Sequence, residues 1–369
     1  MRLLDRYLLR ELLVPLGYCL CGFLLFYVAF DLIFQISRFL DNHLLFLDIV
    51  EYYLVTLPEL LVEQVLPVSL LLALLYALSQ HSRHNELTAM RAAGVPLWRL
   101  SLPYFTVGAL LGLLVFVIGE WWIPSSADRS SEILLRRQVP DSEIGMIYKL
   151  EFSNPADGRD WNIGRFNRKT SEMINPKVQW RQANGSVRTL DARYATYDGG
   201  QWCFYGVKIW DRRPGDLDVF SGSNAVLRLS LLETPSWFNG EIKVNEMNPT
   251  QAAKGQGTQL SIREIRDYLR LHPRTEKRAM LLTQLQERLA APFTCLAVVL
   301  IALPFGAKAG RHNVFVGVAS SIFICFGYFI LQRISSGLGV GGYMPPVLAA
   351  WLPNLVCSVL GLVLLWSVR

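Results

Sequence analysis

Ser79-Gln-His-Ser-Arg-His-Asn-Glu-Leu-Thr-Ala-Met-Arg-Ala-Ala-Gly-Val-Pro-Leu-Trp98 is a polar, basic stretch between two long apolar runs, Leu54–Leu78 and Leu97–Ile123. Each run is near the ~20 residues that cross a bilayer, so neither reads as a soluble core helix. The stretch between them is therefore a short loop at a membrane surface. Within it Glu86 stands among cations, and Gly94 and Pro96 end the helical pattern. That combination describes a short docking helix rather than a catalytic centre.

Four more apolar runs extend the pattern: Leu12–Phe34, Leu289–Phe305, Val314–Leu331 and Val347–Val368. With 52% hydrophobic and 18% charged residues, the chain of 369 lies on the membrane side of the soluble range. The expected fold is an α-helical membrane protein of six transmembrane helices, with a polar domain inserted between helices 3 and 4. The first run starts too late and is too long for a cleaved signal peptide, and should stay in the membrane. Cys19, Cys21, Cys295, Cys325 and Cys357 fall in apolar runs and Cys203 alone in the polar domain, so no intradomain disulfide is expected there. The net charge of +6 reads as topology rather than nucleic-acid binding.

Lys and Arg in short loops mark the cytoplasmic side. Arg2, Arg6 and Arg10 precede the first run, Arg83, Arg91 and Arg99 follow the second, and Lys308 and Arg311 follow the fourth. The intervening loops are acidic around Arg38 or, from Ser335 to Pro345, uncharged. Both termini are thus expected in the cytoplasm and the large domain outside.

That domain reads as β-structure. Val178–Gln182, Asn184-Gly185, then Val187 and Thr189 form a hairpin signal. Ala192, Tyr194 and Thr196 alternate up to Asp198-Gly199-Gly200, and Trp202, Phe204 and Val207–Trp210 return. A single antiparallel sandwich or an open, barrel-like sheet accommodates them. The expected boundaries are 1–124 for helices 1–3 with a docking helix near 80–96, 125–258 for the β domain, 259–272 for an amphipathic interfacial helix and 273–369 for helices 4–6. Thr250–Thr258 is a small-residue linker, and Ser261-Ile-Arg-Glu264 matches a capping box.

Several constellations carry no chemistry. Gly337-Leu-Gly339-Val-Gly341-Gly342 fits a dinucleotide fingerprint only formally; with Pro345-Pro346 following it reads as a flexible re-entry loop. No phosphate-binding P-loop motif occurs. His81, His84 and Glu86 read as a solvated, weakly basic helix rather than a metal site. Charges within or at the rim of the runs weigh more, because hydrocarbon tolerates them only beside a cavity or a partner. Asp31, Glu59, Glu63, Glu120, Arg288 and Arg333 are such charges. Arg38 and Arg288 stand where an anionic headgroup would lie. Pro58 and Pro67 predict a kinked second helix lining a cavity.

Asp5-Arg6-Tyr7-Leu8-Leu9-Arg10, Asn85–Gly94, Glu287-Arg288-Leu-Ala-Ala-Pro292, Leu303-Pro-Phe-Gly306 and Ala350-Trp351-Leu-Pro353-Asn354 together resemble the lipopolysaccharide-export permeases of the LptF/LptG type, over the whole chain. The resemblance implies a bacterial inner-membrane protein that pairs with a second six-span permease subunit and binds a cytoplasmic ABC-type ATPase dimer. Lipopolysaccharide would be extracted and passed to periplasmic β-jellyroll bridge proteins, with this chain's own domain of jellyroll-like type. No cofactor is implied in this chain; the partner uses ATP. Glu86, with Arg83, Arg91 and Gly94, would couple to the ATPase. Arg38, Arg288, Asp31 and Glu63 would line the substrate path, although the resemblance implies a lysine at the position that Asp31 occupies. The alternatives are a membrane-anchored adaptor without transport and a lipid-modifying enzyme. The absence of histidine between Asp128 and Leu271, and of a carboxylate pair, counts against the enzyme.

Overall fold

The computed structural model describes residues 3–140, 143–154, 157–181, 185–213, 219–247, 260–308 and 314–366. The chain divides into two compact units. The first comprises Met1–Ser130, Pro249–Gly257 and Ala279–Arg369, the second Ser131–Asn248 and Thr258–Arg278.

The first unit is helical. It holds α1 (Leu3–Asp41), α2 (Phe46–Leu60), α3 (Leu66–Arg83), α4 (Glu86–Ala92), α5 (Leu97–Trp121) and most of α6 (Ile123–Leu135). Among the described residues, five helices in the chain are long and apolar enough to cross a membrane. The apolar run Leu54–Leu78 is not one of them because it is divided. A π-turn at Leu61–Val65 joins α2 to α3, with the Leu66 N–H reaching back to the Leu61 carbonyl. Pro67 explains the widened turn: it has no N–H for the preceding turn, and the helix path re-registers there. The expected kink therefore takes the form of a π-turn.

α3 is the central post of its half. Leu66, Leu70, Leu71, Leu74, Leu75 and Leu78 are buried, and Leu8, Leu12 and Leu16 of α1 enter the same core at a helical spacing of four. The outward faces stay apolar, as Phe26, Phe30, Ile33 and Phe34 illustrate. Exposed hydrocarbon on long helices is what a bilayer solvates.

Glycines set the closest helix contacts. In Gly108-Ala-Leu-Leu-Gly112 and the helix α9 (Arg278–Lys308) that faces it, a Cβ on Gly112 would stand 2.3 Å from the Pro292 carbonyl oxygen. This is the small-residue packing of membrane helices. In α10 (Val314–Val340) a Cβ on Gly339 would meet Ala349 at 2.5 Å and Thr283 at 2.9 Å. The Gly337–Gly342 run is thus not a flexible loop; Gly337–Val340 are helical, and the turn comes only afterwards. In α11 (Pro346–Trp366) Gly361 stands against the Leu300 backbone in the same manner.

Asn354 ties these helices together. Its amide donates to the Ala290 carbonyl at 2.9 Å and its Oδ1 accepts from Tyr328 at 3.0 Å, while Trp351 Nε1 donates to Gln286 at 3.4 Å. The Ala350–Asn354 motif is therefore a buried polar clamp on α9, α10 and α11, with its hydrogen bonds satisfied.

The second unit is built on one antiparallel sheet. Its strands are β1 (Met146–Asn154), β2 (Arg159–Asn167), β3 (Met173–Arg181), β4 (Val187–Asp191), β5 (Tyr194–Asp198), β6 (Gln201–Arg212) and β7 (Val219–Leu229). β3 pairs with β4 through one half and with β5 through the other, and β6 does the same. β4 and β5 are therefore one strand bent at Ala192–Arg193, and the sheet is a meander. The strands do not separate into two facing sheets; the open, curled sheet is the arrangement that forms. Gly199 and Gly200, both at positive φ, make the two-residue β5–β6 turn that Asp198-Gly-Gly predicts. Asn184 of the preceding hairpin, the linker 250–258 and Arg311 lie outside the described residues.

The curled face is filled by Trp161, Phe166, Trp202 and Phe204, all buried. α7 (Pro235–Glu246) lies on it and inserts Phe238 and Ile242. α8 (Ile262–Leu271) begins with the expected capping box: Ser261 Oγ accepts from the Glu264 N–H at 3.2 Å, and Glu264 accepts from the Ser261 N–H at 2.8 Å. Its apolar face, with Ile265 and Tyr268 buried, belongs to this unit's interior next to α7 rather than being open to a bilayer. Lys243–Glu264 at 3.1 Å straps the two together, and His272, just past α8, lies 3.2 Å from Glu241. β-structure thus begins later than residue 125, after α6, and helices close the unit.

Candidate functional site

Two parts of the helical unit combine charge with exposure. The first is the turn around α4. Asn85 enters it at φ 57 and Gly94 leaves it at φ 82. The Gly94 N–H bonds to the Arg91 carbonyl at 3.0 Å and the Val95 N–H to Met90 at 3.1 Å, a Schellman ending, with Pro96 blocking continuation. The helix is shorter than the expected 80–96 because α3 itself runs on to Arg83. A Cβ on Gly94 would meet nothing within 4 Å, so Gly94→Ala carries only the left-handed backbone cost. It should destabilise the turn by about 1 kcal/mol, read as faster amide exchange in residues 86–95 with the remaining helices unchanged.

Arg83, Thr88, Ala89, Arg91 and Gly94 face outward, whereas Leu87 is buried. Glu86 turns inward. Tyr7 of α1 donates to its Oε2 at 2.9 Å and lies 3.1 Å from Oε1. His81 Nδ1 is 2.7 Å from Oε2. Burial raises the Glu86 carboxyl, but the hydrogen bonds from His81 and Tyr7 outweigh it and hold the group below the usual carboxylate range. The carboxylate therefore keeps both donors at neutral pH and releases them only as pH falls through that lowered value. His81 is buried at 3% exposure, not solvated as the sequence reading has it; His84 is exposed. Asp5 of α1 pairs with Arg99 of α5 at 3.0 Å.

The second part is an open cleft of about 330 Å3 between α1, the π-turn, α3 and α10. Phe23, Phe26, Tyr27, Val65, Val68 and Phe329 form apolar walls, and Gln64 and Arg333 supply polar groups. A cation set among aromatic and aliphatic side chains suits an amphiphile with an anionic head.

The remaining sequence candidates disperse. Asp31 accepts from Tyr53 at 3.0 Å and so joins α1 to α2. Arg38 is exposed in the last turn of α1. Glu63 falls in the π-turn, and its side chain lies outside the described part of the structure. Arg288 is almost buried; it donates to the Gly119 carbonyl and lies 4.0 Å from Glu120, which fastens α9, about three turns after its start, to the end of α5. Tyr7 carries no site signal of its own in the sequence, His81 reads there only as part of a solvated helix, and Arg333 reads there as a rim charge that needs a cavity or a partner. Tyr7 lies 79 positions from Glu86, a separation that no local pattern bridges.

The sequence model of the lipopolysaccharide export system permease LptF/LptG matches residues 6–367, nearly the whole chain. The chain belongs to the LptF/LptG family. No curated protein matches it. Family membership and the apolar helices together make this LptF/LptG protein a multi-pass inner-membrane protein and a transmembrane subunit of lipopolysaccharide transport. It works as a transporter permease within a lipopolysaccharide transport complex.

Proposed function

We propose that this chain is one half of an ATP-driven exporter, with six spans counting α2–α3 as one, both ends in the cytoplasm and the β unit in the periplasm. A second six-span permease completes the substrate cavity, and a separate ABC-type ATPase dimer supplies the energy. Arg83 and Arg91, outward on and beside α4, meet the ATPase. The glycolipid enters beside α1 and α10, its phosphates at Arg333 and its acyl chains on Phe23, Phe26 and Phe329. The curled sheet passes acyl chains onward to a bridge of similar jellyroll-like β domains.

The observation that carries this reading is the cleft, where Arg333 stands within apolar walls on helices long enough to span a bilayer. Arg333→Ala should lower ATP-dependent release of lipopolysaccharide from the assembled complex by about tenfold or more, with Arg333→Lys retaining much of it, because a hydrogen bond to a charged group is worth roughly 1.5–3 kcal/mol. Release unchanged in Arg333→Ala would remove the cleft from the substrate path. Purification of the tagged chain from membranes should recover an ABC-type ATPase, and Arg91→Glu should reduce that recovery.

A further inference from the structure

The carboxylate at the start of α4 is held from within the chain, although about one third of the Glu86 side chain stays exposed. Both its oxygens lie within hydrogen-bonding distance of Tyr7 or His81, and the Tyr7 and His81 rings stand 5.6 Å apart against each other. An ionised carboxylate only accepts, so Tyr7 O–H and His81 Nδ1–H are the donors. The three groups come from three elements: Tyr7 from α1, His81 from the last turn of α3 and Glu86 from α4. Beside them the Asp5–Arg99 pair ties α1 to the first turn of α5. The N-terminal turns of α1 are thus fastened to the segments on both sides of α4, while the next turns of α1 are packed through Leu8, Leu12 and Leu16.

We propose that Tyr7, His81 and Glu86 form a latch that makes the first span move with α4, so that a displacement imposed on the outer face of α4 is delivered to α1, which forms one wall of the Arg333 cleft. Glu86 is then a positioning residue through its bonds to Tyr7 and His81, and Arg83, Thr88, Ala89 and Arg91 are the outward residues on which the push arrives. The inference rests on the transport reading above only for the origin of the push. The latch itself is a property of this chain alone. It assigns a task to Tyr7 and His81, and it separates attachment of the ATPase from transmission of its stroke.

Two measurements on the full-length protein in lipid nanodiscs decide it. In the purified chain, amide exchange of residues 86–94 should accelerate about tenfold in Tyr7→Phe and in His81→Phe, which removes the donor, with the double variant no faster than the larger single effect, as expected for one coupled unit. Unchanged exchange, or additive effects, overturns the latch whether or not any ATPase binds. In the assembled complex, Tyr7→Phe should leave recovery of the ATPase and the KM for ATP as in the parent, while lipopolysaccharide released per ATP falls about tenfold. Glu86→Gln, which still accepts from Tyr7, should retain more release than Glu86→Ala. Loss of ATPase recovery in Tyr7→Phe, or full release in Glu86→Ala, also overturns it. A parent chain that recovers no ATPase refutes the exporter reading instead, and the exchange measurement still decides the latch.

Discussion

Gly112→Val is expected to drive α5 away from α9 and to leave the helical unit without a stable packed state. The added Cβ would stand 2.3 Å from the Pro292 carbonyl oxygen and 3.2 Å from its carbon. The atoms it meets are backbone, so no side-chain rotation relieves the clash. Pro292 lies within α9, whose Cys295, Val299 and Ala302 are fully buried in the core shared with α5. Overpacking against movable side chains costs about 1–3 kcal/mol, and a clash with a proline-containing helix backbone lies at or beyond the top of that range. Gly119→Ala is the control in the same helix, since a Cβ there meets nothing within 4 Å. It should be neutral or slightly stabilising, because alanine is the better helix former by about 0.8–1.0 kcal/mol. Thermal aggregation midpoints in mild detergent compare the two. A parent-like midpoint for Gly112→Val would mean that α5 and α9 are not in contact at Pro292.

Phe238→Ala should have the largest effect on the β unit. The ring is fully buried and lies 4.9 Å from Phe152, 5.2 Å from Trp161, 5.8 Å from Phe166 and 5.9 Å from Trp202. Truncating a buried phenylalanine costs about 3–5 kcal/mol, since the lost transfer energy is joined by a cavity that rigid neighbours cannot fill. That is a large share of the ~5–15 kcal/mol by which domains are stable. Without the ring, α7 keeps Ile242, and the partly buried Trp237, as its contacts with the sheet core and should pack loosely on it. Tyr194→Ala removes an exposed ring stacked on Tyr205 at 4.3 Å and should cost about 0.5–1.5 kcal/mol. Denaturant-dependent proteolysis of the full chain, followed at sites within residues 143–247, reads both. Equal losses for the two variants would show that α7 is not part of the core.

These contacts separate what one sequence displays from what it hides. Five of the six apolar runs, the Asp198-Gly-Gly turn and the Ser261–Glu264 capping box are local patterns that form where they are read, whereas the run Leu54–Leu78 is divided by the π-turn. α7 is not local. Pro235-Ser-Trp-Phe-Asn-Gly-Glu-Ile contains poor helix formers, and it is helical because Phe238 and Ile242, four apart, are drawn into the sheet. Glycine in Gly337–Gly342 suggests freedom in sequence but provides close packing in the fold. Charge is the least legible property. Arg288 reads as a headgroup ligand and serves as a tie between helices, and Asp31 reads as a misplaced charge and receives Tyr53. The Glu86 segment is visible from its loop and its helix stop, but its two donors come from residues that only the fold assembles. The bent β4–β5 strand depends on pairing with both halves of β3 and β6, so a sandwich and an open sheet look alike before that pairing is seen.

In the proposed exporter this chain converts a partner's ATP cycle into extraction of a glycolipid. Proteoliposomes holding the chain, its second permease, the ABC-type ATPase and lipopolysaccharide, with a soluble periplasmic β-jellyroll acceptor outside, test it most directly by photocrosslinking of lipopolysaccharide to the acceptor. Transfer should require ATP, stop with a non-hydrolysable analogue and fall by about tenfold or more in Arg333→Ala. Transfer that proceeds without ATP, or that is indifferent to removal of this chain, would contradict it.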